Sequence, residues 1–131
     1  MAIAFSSALR NARADAITTF AGSSALLRIY DGTRPATGGT ATTLLAELTC
    51  SATLAAAASG AVLTFNAITT DSSANATGTA TWGRIVKSDG TTHVMDFSIA
   101  ASGSDMNMTP TSITSGQPVA VSSVVLTEGN A

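Results

Sequence analysis

The sequence has few side chains that carry charge or perform chemistry. It contains six Lys or Arg, eight Asp or Glu, and one each of His, Cys, Trp and Tyr. Charged residues make up 11% of the chain, less than half of the usual share of about 25%. A single Cys excludes an internal disulfide, and the sequence has no Cys/His cluster typical of a metal site. The cations are scattered and the net charge is −2, so there is no basic stripe for nucleic acid.

Long apolar segments are also missing. No apolar run is longer than that at residues 54–58, which is far too short to span a bilayer. Residues 1–7 lack the basic head and the long apolar stretch of a signal peptide. We therefore expect no membrane partner, no nucleic-acid partner and no cofactor, and a protein that stays in the cytoplasm until it assembles.

Small residues are abundant instead, with 25 Ala, 21 Thr and 16 Ser among 131 residues. Thr favours pleated strands, and the hydrophobic share of 45% with little charge argues against disorder. A surface of Thr, Ser, Ala and Gly is weakly solvated, which favours a surface that is covered in the working state. The alternative is a bland, soluble surface rich in Thr.

The first element is predicted to be a helix. Ser6 or Ser7 is a suitable N-cap, and Gly22 is a suitable end. The helix carries an apolar stripe at helical spacing, and because it is short it needs a partner surface, either its own sheet or a neighbouring subunit. The stripe consists of Leu9, Ala12, Ala16, Ile17 and Phe20. We expect residues 1–22 to form an N-terminal segment with this helix, and residues 23–131 to form a single antiparallel β domain.

Alternating apolar and polar residues predict the strands that follow. Cys50 falls in phase with the apolar face of one of them, which indicates a small buried thiol. Residues 33–42 are predicted to form an exposed loop. The strands are expected near residues 25–30, 44–50, 61–67, 77–87, 91–100 and 119–127. The expected class is mainly β, an antiparallel sandwich or jelly-roll-like barrel of about six or seven strands.

The strand over residues 77–87 shows the longest alternation. Thr77, Thr79 and Thr81 share one face, which we name the Thr row. Together with residues 91–100 this segment predicts a β-hairpin. The Thr row is either an ordinary solvated face or a surface for association with another protein.

Candidates for catalysis and ligand binding are few. His93 is the one available general base, but it lies in an alternating strand and no Gly-x-Ser-x-Gly elbow is present. A core or interface histidine is the favoured interpretation, and we expect no enzyme. Trp82 and Tyr30 are candidates for stacking on a sugar or a partner, although a core role for Trp82 is favoured.

Several segments resemble a known group of proteins when they are taken together. They are LLRIYDGTRP at residues 26–35, LLAEL at 44–48, ATWGRI at 80–85, SDGT at 88–91 and LTEGN at 126–130. This combination resembles a family of short structural proteins from tailed bacteriophages, over nearly the whole chain. The resemblance implies a component of the virion and implies no catalytic residues.

The resemblance and the composition together predict a capsid decoration, or cement, protein. Its expected partners are the major capsid protein or other virion subunits, with further copies of itself in a homo-oligomer, and its expected location is the virion assembled in the host cytoplasm. Two alternatives stay open: a tail or neck component, and a carbohydrate-binding module that uses Tyr30 or Trp82. The residues expected to contact partners are Leu9, Ile17, Phe20, Arg34, Pro35, Thr77, Thr79 and Thr81.

Overall fold

The computed structural model describes residues 3–122 and 124–128, which form one helix and nine short strands. The helix is α1 (Ser7–Ala21). The strands are β1 (Leu26–Tyr30), β2 (Leu44–Thr49), β3 (Val62–Thr64), β4 (Gly78–Thr79), β5 (Trp82–Val86), β6 (His93–Ala100), β7 (Met106–Asn107), β8 (Ser112–Ile113) and β9 (Val125–Thr127).

Helix α1 begins and ends where the sequence indicates. The side chain of Ser6 accepts a hydrogen bond from the backbone N–H of Leu9 at 3.2 Å, which satisfies one of the free donors of the first turn. Gly22, with φ 72°, ends the helix, and its N–H donates to the carbonyl of Thr18 at 3.3 Å. The predicted boundaries are therefore confirmed.

The main sheet has five strands in the order β2-β1-β5-β6-β7. All its pairs are antiparallel except β6 with β7, which is parallel. Strand β5 lies at the centre and all five of its residues are buried. The predicted hairpin of β5 and β6 is confirmed, with Arg84 opposite Asp96.

One face of this sheet carries the hydrophobic core. Leu27, Ile29 and Ile85 are fully buried, and Phe97 is nearly so. Two small sheets, β3 with β9 and β4 with β8, contribute further core residues, among them Leu63 of β3 and Ile113 of β8. The mainly β class with one short N-terminal helix is confirmed.

Two expectations about strand extent were wrong. The predicted strand over residues 77–87 is broken into β4, which pairs with β8, and β5, which pairs with β1 and β6. The predicted strand over residues 119–127 is reduced to β9 and a single bridge between Asp71 and Val119. Over residues 77–82 exposed and more buried side chains still alternate, because extended chain alternates without a continuous partner.

Candidate interaction surface

Helix α1 presents an apolar face to solvent. Leu9 is 46% exposed and Phe20 is 50% exposed, and Ala12 and Ala16 between them are also exposed. We name these four residues the apolar helix face. The fifth member of the predicted stripe, Ile17, is half-buried and packs against the core, so the stripe is divided between the body of the protein and solvent.

The opposite side of α1 is fixed to the body of the protein. Ala14 and Ala21 are buried there, where their small side chains allow close approach. Asn11 accepts a hydrogen bond from the N–H of Ala61 at 2.7 Å, and Asp15 accepts one from the N–H of Ala58 at 2.7 Å. Because these polar side chains lock the helix in rotation, the apolar helix face has a defined orientation toward solvent.

The far end of the apolar helix face meets the β5–β6 hairpin. The ammonium group of Lys87 lies 4.2 Å from the centroid of the Phe20 ring, a distance typical of a cation–π contact. Phe20 and Lys87 line a shallow depression together with Ala12 and Ala16. The apolar helix face is therefore bordered at this end by the cation of Lys87.

The Thr row is exposed, as its alternation indicates, but it is not a flat ladder. Thr81 lies in the break between β4 and β5 and donates its hydroxyl to the carbonyl of Gly32 at 2.6 Å. The hydroxyl of Thr77 accepts a hydrogen bond from the N–H of Ser115 at 2.9 Å. Two of the three hydroxyls therefore hold neighbouring loops, which reduces the Thr row as a surface for a partner.

The loop at residues 33–42 crosses over the second face of the main sheet. Most of its residues are exposed, Arg34 among them, while Pro35 is half-buried. At the start and end of this crossing, the indole N–H of Trp82 donates to the carbonyl of Asp31 at 3.0 Å and to the Thr42 hydroxyl at 2.9 Å. The predicted exposed loop is confirmed, but the loop is attached to the sheet beneath it.

Under this loop a row of four charged residues crosses the sheet. Arg28 of β1 lies opposite Arg84 of β5, and each pairs with an acid on the next strand outward. In strand order the charged row is Glu47, Arg28, Arg84 and Asp96. The two arginines are held side by side because each has its own carboxylate, at 2.7 Å for Arg28–Glu47 and 2.6 Å for Arg84–Asp96.

Each arginine of the charged row also binds a loop backbone. Arg28 donates to the carbonyl of Gly90 at 2.9 Å. Arg84 donates to the carbonyl of Gly39 at 2.9 Å, and Asp96 accepts the N–H of Gly38 at 3.0 Å. Each ion pair therefore holds the backbone of one loop by hydrogen bonds.

The Arg84–Asp96 pair is the more buried of the two. Its side chains are 11% and 4% exposed, against 24% and 38% for Arg28–Glu47. Burial alone would raise the pKa of Asp96, but hydrogen bonds from Arg84 and from the Gly38 N–H outweigh it and hold that pKa below its ordinary value. The hydrogen bond to Asp96 likewise raises the pKa of Arg84. Both groups are therefore charged in the folded protein at neutral pH.

The two aromatic residues considered for sugar binding are interior residues. Trp82 is fully buried and Tyr30 is 4% exposed. Their rings stack on one another with centroids 4.3 Å apart. Neither ring offers a free face to a sugar, so the carbohydrate-binding alternative loses the side chains on which it rested.

His93 lies beside the charged row. Its Nε2 is 3.2 Å from a carboxylate oxygen of Asp96, but the two are not aligned as a hydrogen bond and this nitrogen has no hydrogen-bond partner among the described residues. Because Arg84 already occupies that carboxylate in two hydrogen bonds, Asp96 is poorly placed to orient His93 as a general base.

Cys50 and the acidic residues do not form a metal or nucleophile site. Cys50 is buried, as predicted, and burial raises the pKa of its thiol to about 11. Among residues 3–122 and 124–128 there is no group of three or more His, Cys, Asp or Glu side chains placed to hold a metal ion. Within the same residues, no helix combines the length and apolar character needed to cross a bilayer.

Sequence reasoning overlooked the charged row and its bonds to the loops. A signal was present, because Arg28, Glu47, Arg84 and Asp96 each interrupt an otherwise apolar strand. Charged residues in such positions are rarely buried unless they are paired. What the sequence does not show is the strand order that places the two arginines opposite one another.

Comparisons with known proteins gave no match. No family model matches the chain, and no curated protein and no solved structure matches it at a significant level.

Proposed function

We propose that this protein is a structural subunit of a tailed-bacteriophage particle, a decoration protein that binds the outside of the major capsid lattice as a homo-oligomer. The observation that carries the proposal is the apolar helix face, which a firmly docked helix holds toward solvent. The resemblance of the sequence segments to phage structural proteins supports a virion as the assembly to which the protein belongs.

The apolar helix face is suited to contact with another protein. Complete burial of a Leu or Phe side chain contributes about 1.5–3 kcal/mol, and Leu9 and Phe20 are each about half exposed. A single such contact is weak, but a lattice repeats it many times, and linked contacts reinforce one another. Ala12 and Ala16 between them lose no side-chain entropy on burial.

The acidic residues support a structural role. All eight carboxylates lie in the described residues, and each one accepts a hydrogen bond or forms an ion pair within the chain. Each acid is therefore engaged in holding the fold, although its charge remains and Asp89 and Asp105 are exposed. The apolar helix face, whose four members carry no charge, is the part of the surface that is easily desolvated against a partner, because burying an unpaired charge is costly.

The test compares two variants with substitutions at apolar positions of similar exposure. The double variant Leu9→Ser/Phe20→Ser removes the apolar helix face, and Val125→Ser, at a residue 44% exposed on β9, is the control. Purified particles that lack the protein are mixed with each variant, and the bound copies per particle are counted by gel densitometry. We expect the double variant to lose most of its binding and the control to bind like the wild type.

Both variants must first be shown to retain the wild-type circular dichroism spectrum and unfolding transition. Equal binding by the folded double variant would contradict the role of the apolar helix face. Antibody labelling of intact particles tests the location: label over the head supports a decoration protein, label confined to the tail supports the tail or neck alternative, and no label on any particle overturns the proposal. Substitutions are preferable to deleting residues 1–22, because the packed side of α1 is part of the core.

A further inference from the structure

We infer that the Arg84–Asp96 ion pair is a latch that holds the loop at residues 33–42 in one conformation over the sheet, ready for contact with a partner. The loop has the composition of a mobile segment, with Pro35 and two adjacent glycines. The centre of the loop is nevertheless fixed by two hydrogen bonds. Asp96 accepts one from the N–H of Gly38, and Arg84 donates one to the carbonyl of Gly39.

The geometry makes this attachment strong. A hydrogen bond to an ionised group is about twice as strong as one between neutral groups, and both bonds to the loop involve ionised groups. Asp96 is 4% exposed, so water competes little for its oxygens. The latch is therefore built into the rigid centre of the sheet while the loop that it holds is at the surface.

The two glycines at the centre of the loop suit its conformation for different reasons. Gly38 has φ +74°, a conformation that other residues rarely adopt. A Cβ on Gly39 would lie 2.9 Å from the carbonyl oxygen of Ala36. Glycine therefore permits the backbone conformation in which this part of the loop meets the ion pair.

The charged row supplies a matched control. Arg28–Glu47 is a second cross-strand ion pair in the same sheet, but its arginine binds the carbonyl of Gly90 in the β5–β6 turn. Removing that pair disturbs the sheet in a similar way without touching the loop at residues 33–42. A loosened loop after loss of one pair and not the other therefore identifies a latch.

The experiment measures amide hydrogen exchange by mass spectrometry on peptides of the full chain. In the double variant Arg84→Met/Asp96→Leu both charges are replaced by apolar side chains, because removing one partner alone would leave a buried charge and unfold the protein. We expect exchange in residues 33–42 to be faster by about tenfold or more, from the loss of hydrogen bonds to charged groups. Exchange in β1 and β5 should stay at the wild-type rate, and Arg28→Met/Glu47→Leu should leave the loop as in the wild type.

Two results would overturn the latch. The first is a folded double variant whose loop exchanges at the wild-type rate. The second is equal acceleration in the loop and in the sheet, which would assign the ion pair to the stability of the whole sheet. If the double variant does not fold, Arg84→Lys is measured instead, because lysine keeps the charge but lacks the planar fork that binds Asp96 and the Gly39 carbonyl together; an unchanged loop there also contradicts the latch.

Only the purpose of the latch rests on the proposed function, and particle binding tests it separately. A loosened loop with weaker binding supports both. A loosened loop with wild-type binding supports the latch but shows that the loop is not part of the contact surface. Failure of every variant and of the wild type to bind particles would overturn the proposed function while the exchange result stands.

Discussion

Replacing Gly83 by Ala should destabilise the protein strongly, because the centre of the main sheet has no room for a methyl group. A Cβ at this position would lie 2.6 Å from two carbons of the Phe97 ring and 3.2 Å from the carbonyl oxygen of Arg28. Phe97 is 3% exposed and cannot move away into solvent. Overpacking of this kind costs about 1–3 kcal/mol, and two simultaneous clashes place the expected loss near the upper end, at about 2–3 kcal/mol.

The assay is thermal unfolding followed by circular dichroism. The fall in Tm is the loss of stability divided by the entropy of unfolding, which is about 2.1 cal/mol/K per residue. For the whole chain, the expected fall in Tm is therefore about 7–11 °C. A comparison is Gly78→Ala, where the Cβ would lie 3.0 Å from the end of the Leu45 side chain and 3.2 Å from a carboxylate oxygen of Asp31. Because these contacts are less close than the 2.6 Å to the Phe97 ring, we expect a smaller loss at this site, of about 1 kcal/mol.

A double-mutant cycle identifies the cause. Phe97→Leu alone removes packing and should destabilise the protein, but in the Gly83→Ala background it should relieve the clash. The two losses should then combine to less than their sum by about 1 kcal/mol or more. Strict additivity, or a Gly83→Ala variant with the wild-type Tm, would refute the steric conflict between a residue-83 side chain and the Phe97 ring.

Three further predictions concern single groups. Trp82→Phe should lower the free energy of unfolding by about 1–2 kcal/mol, measured by urea titration, because the acceptors at Asp31 and Thr42 lose their shared donor; an unchanged midpoint would contradict that bond. The pKa values of Asp96 and Asp105 are lowered in the folded state, so their contribution is complete above the unfolded pKa of about 4 and is lost as pH falls further; a urea midpoint that is constant from pH 6 to pH 3 would contradict this. Cys50, with its raised pKa of about 11, should react with a thiol reagent at pH 8 only after urea unfolds the protein, and rapid labelling of the native state would contradict its burial.

The sequence was informative where one local rule decides the structure. The caps at Ser6 and Gly22 are local, and so is the turn between β5 and β6, in which Asp89 accepts hydrogen bonds from the N–H groups of Thr91 and Thr92. The hydrogen bond from the Thr92 hydroxyl, together with these two N–H bonds, holds the pKa of Asp89 well below its usual range. A helix cap or a tight turn needs no knowledge of distant residues, so its prediction holds.

The orientation of α1 could not be predicted in the same way. Leu9, Ala16 and Phe20 are the more hydrophobic line along the helix, and a rule based on hydrophobicity alone turns that line inward. The structure turns Ala14 and Ala21 inward instead, because Asn11 and Asp15 bind backbone N–H groups on the body. Long-range hydrogen bonds of this kind leave no periodic signal in a sequence.

The engagement of the carboxylates explains how a chain with so little charge keeps long loops in order. Asp71 binds the N–H groups of Glu47 and Ser73, and Asp105 binds both the N–H and the hydroxyl of Ser98. These acids satisfy N–H groups that no neighbouring strand satisfies, in β2 at Glu47, in β6 at Ser98 and in the loop at Ser73, which is necessary because a buried, unpaired N–H is costly. Neutralising such an acid should loosen the backbone segment that it binds rather than the whole sheet. A chain organised in this way is suited to presenting fixed, weakly hydrated surfaces to other subunits.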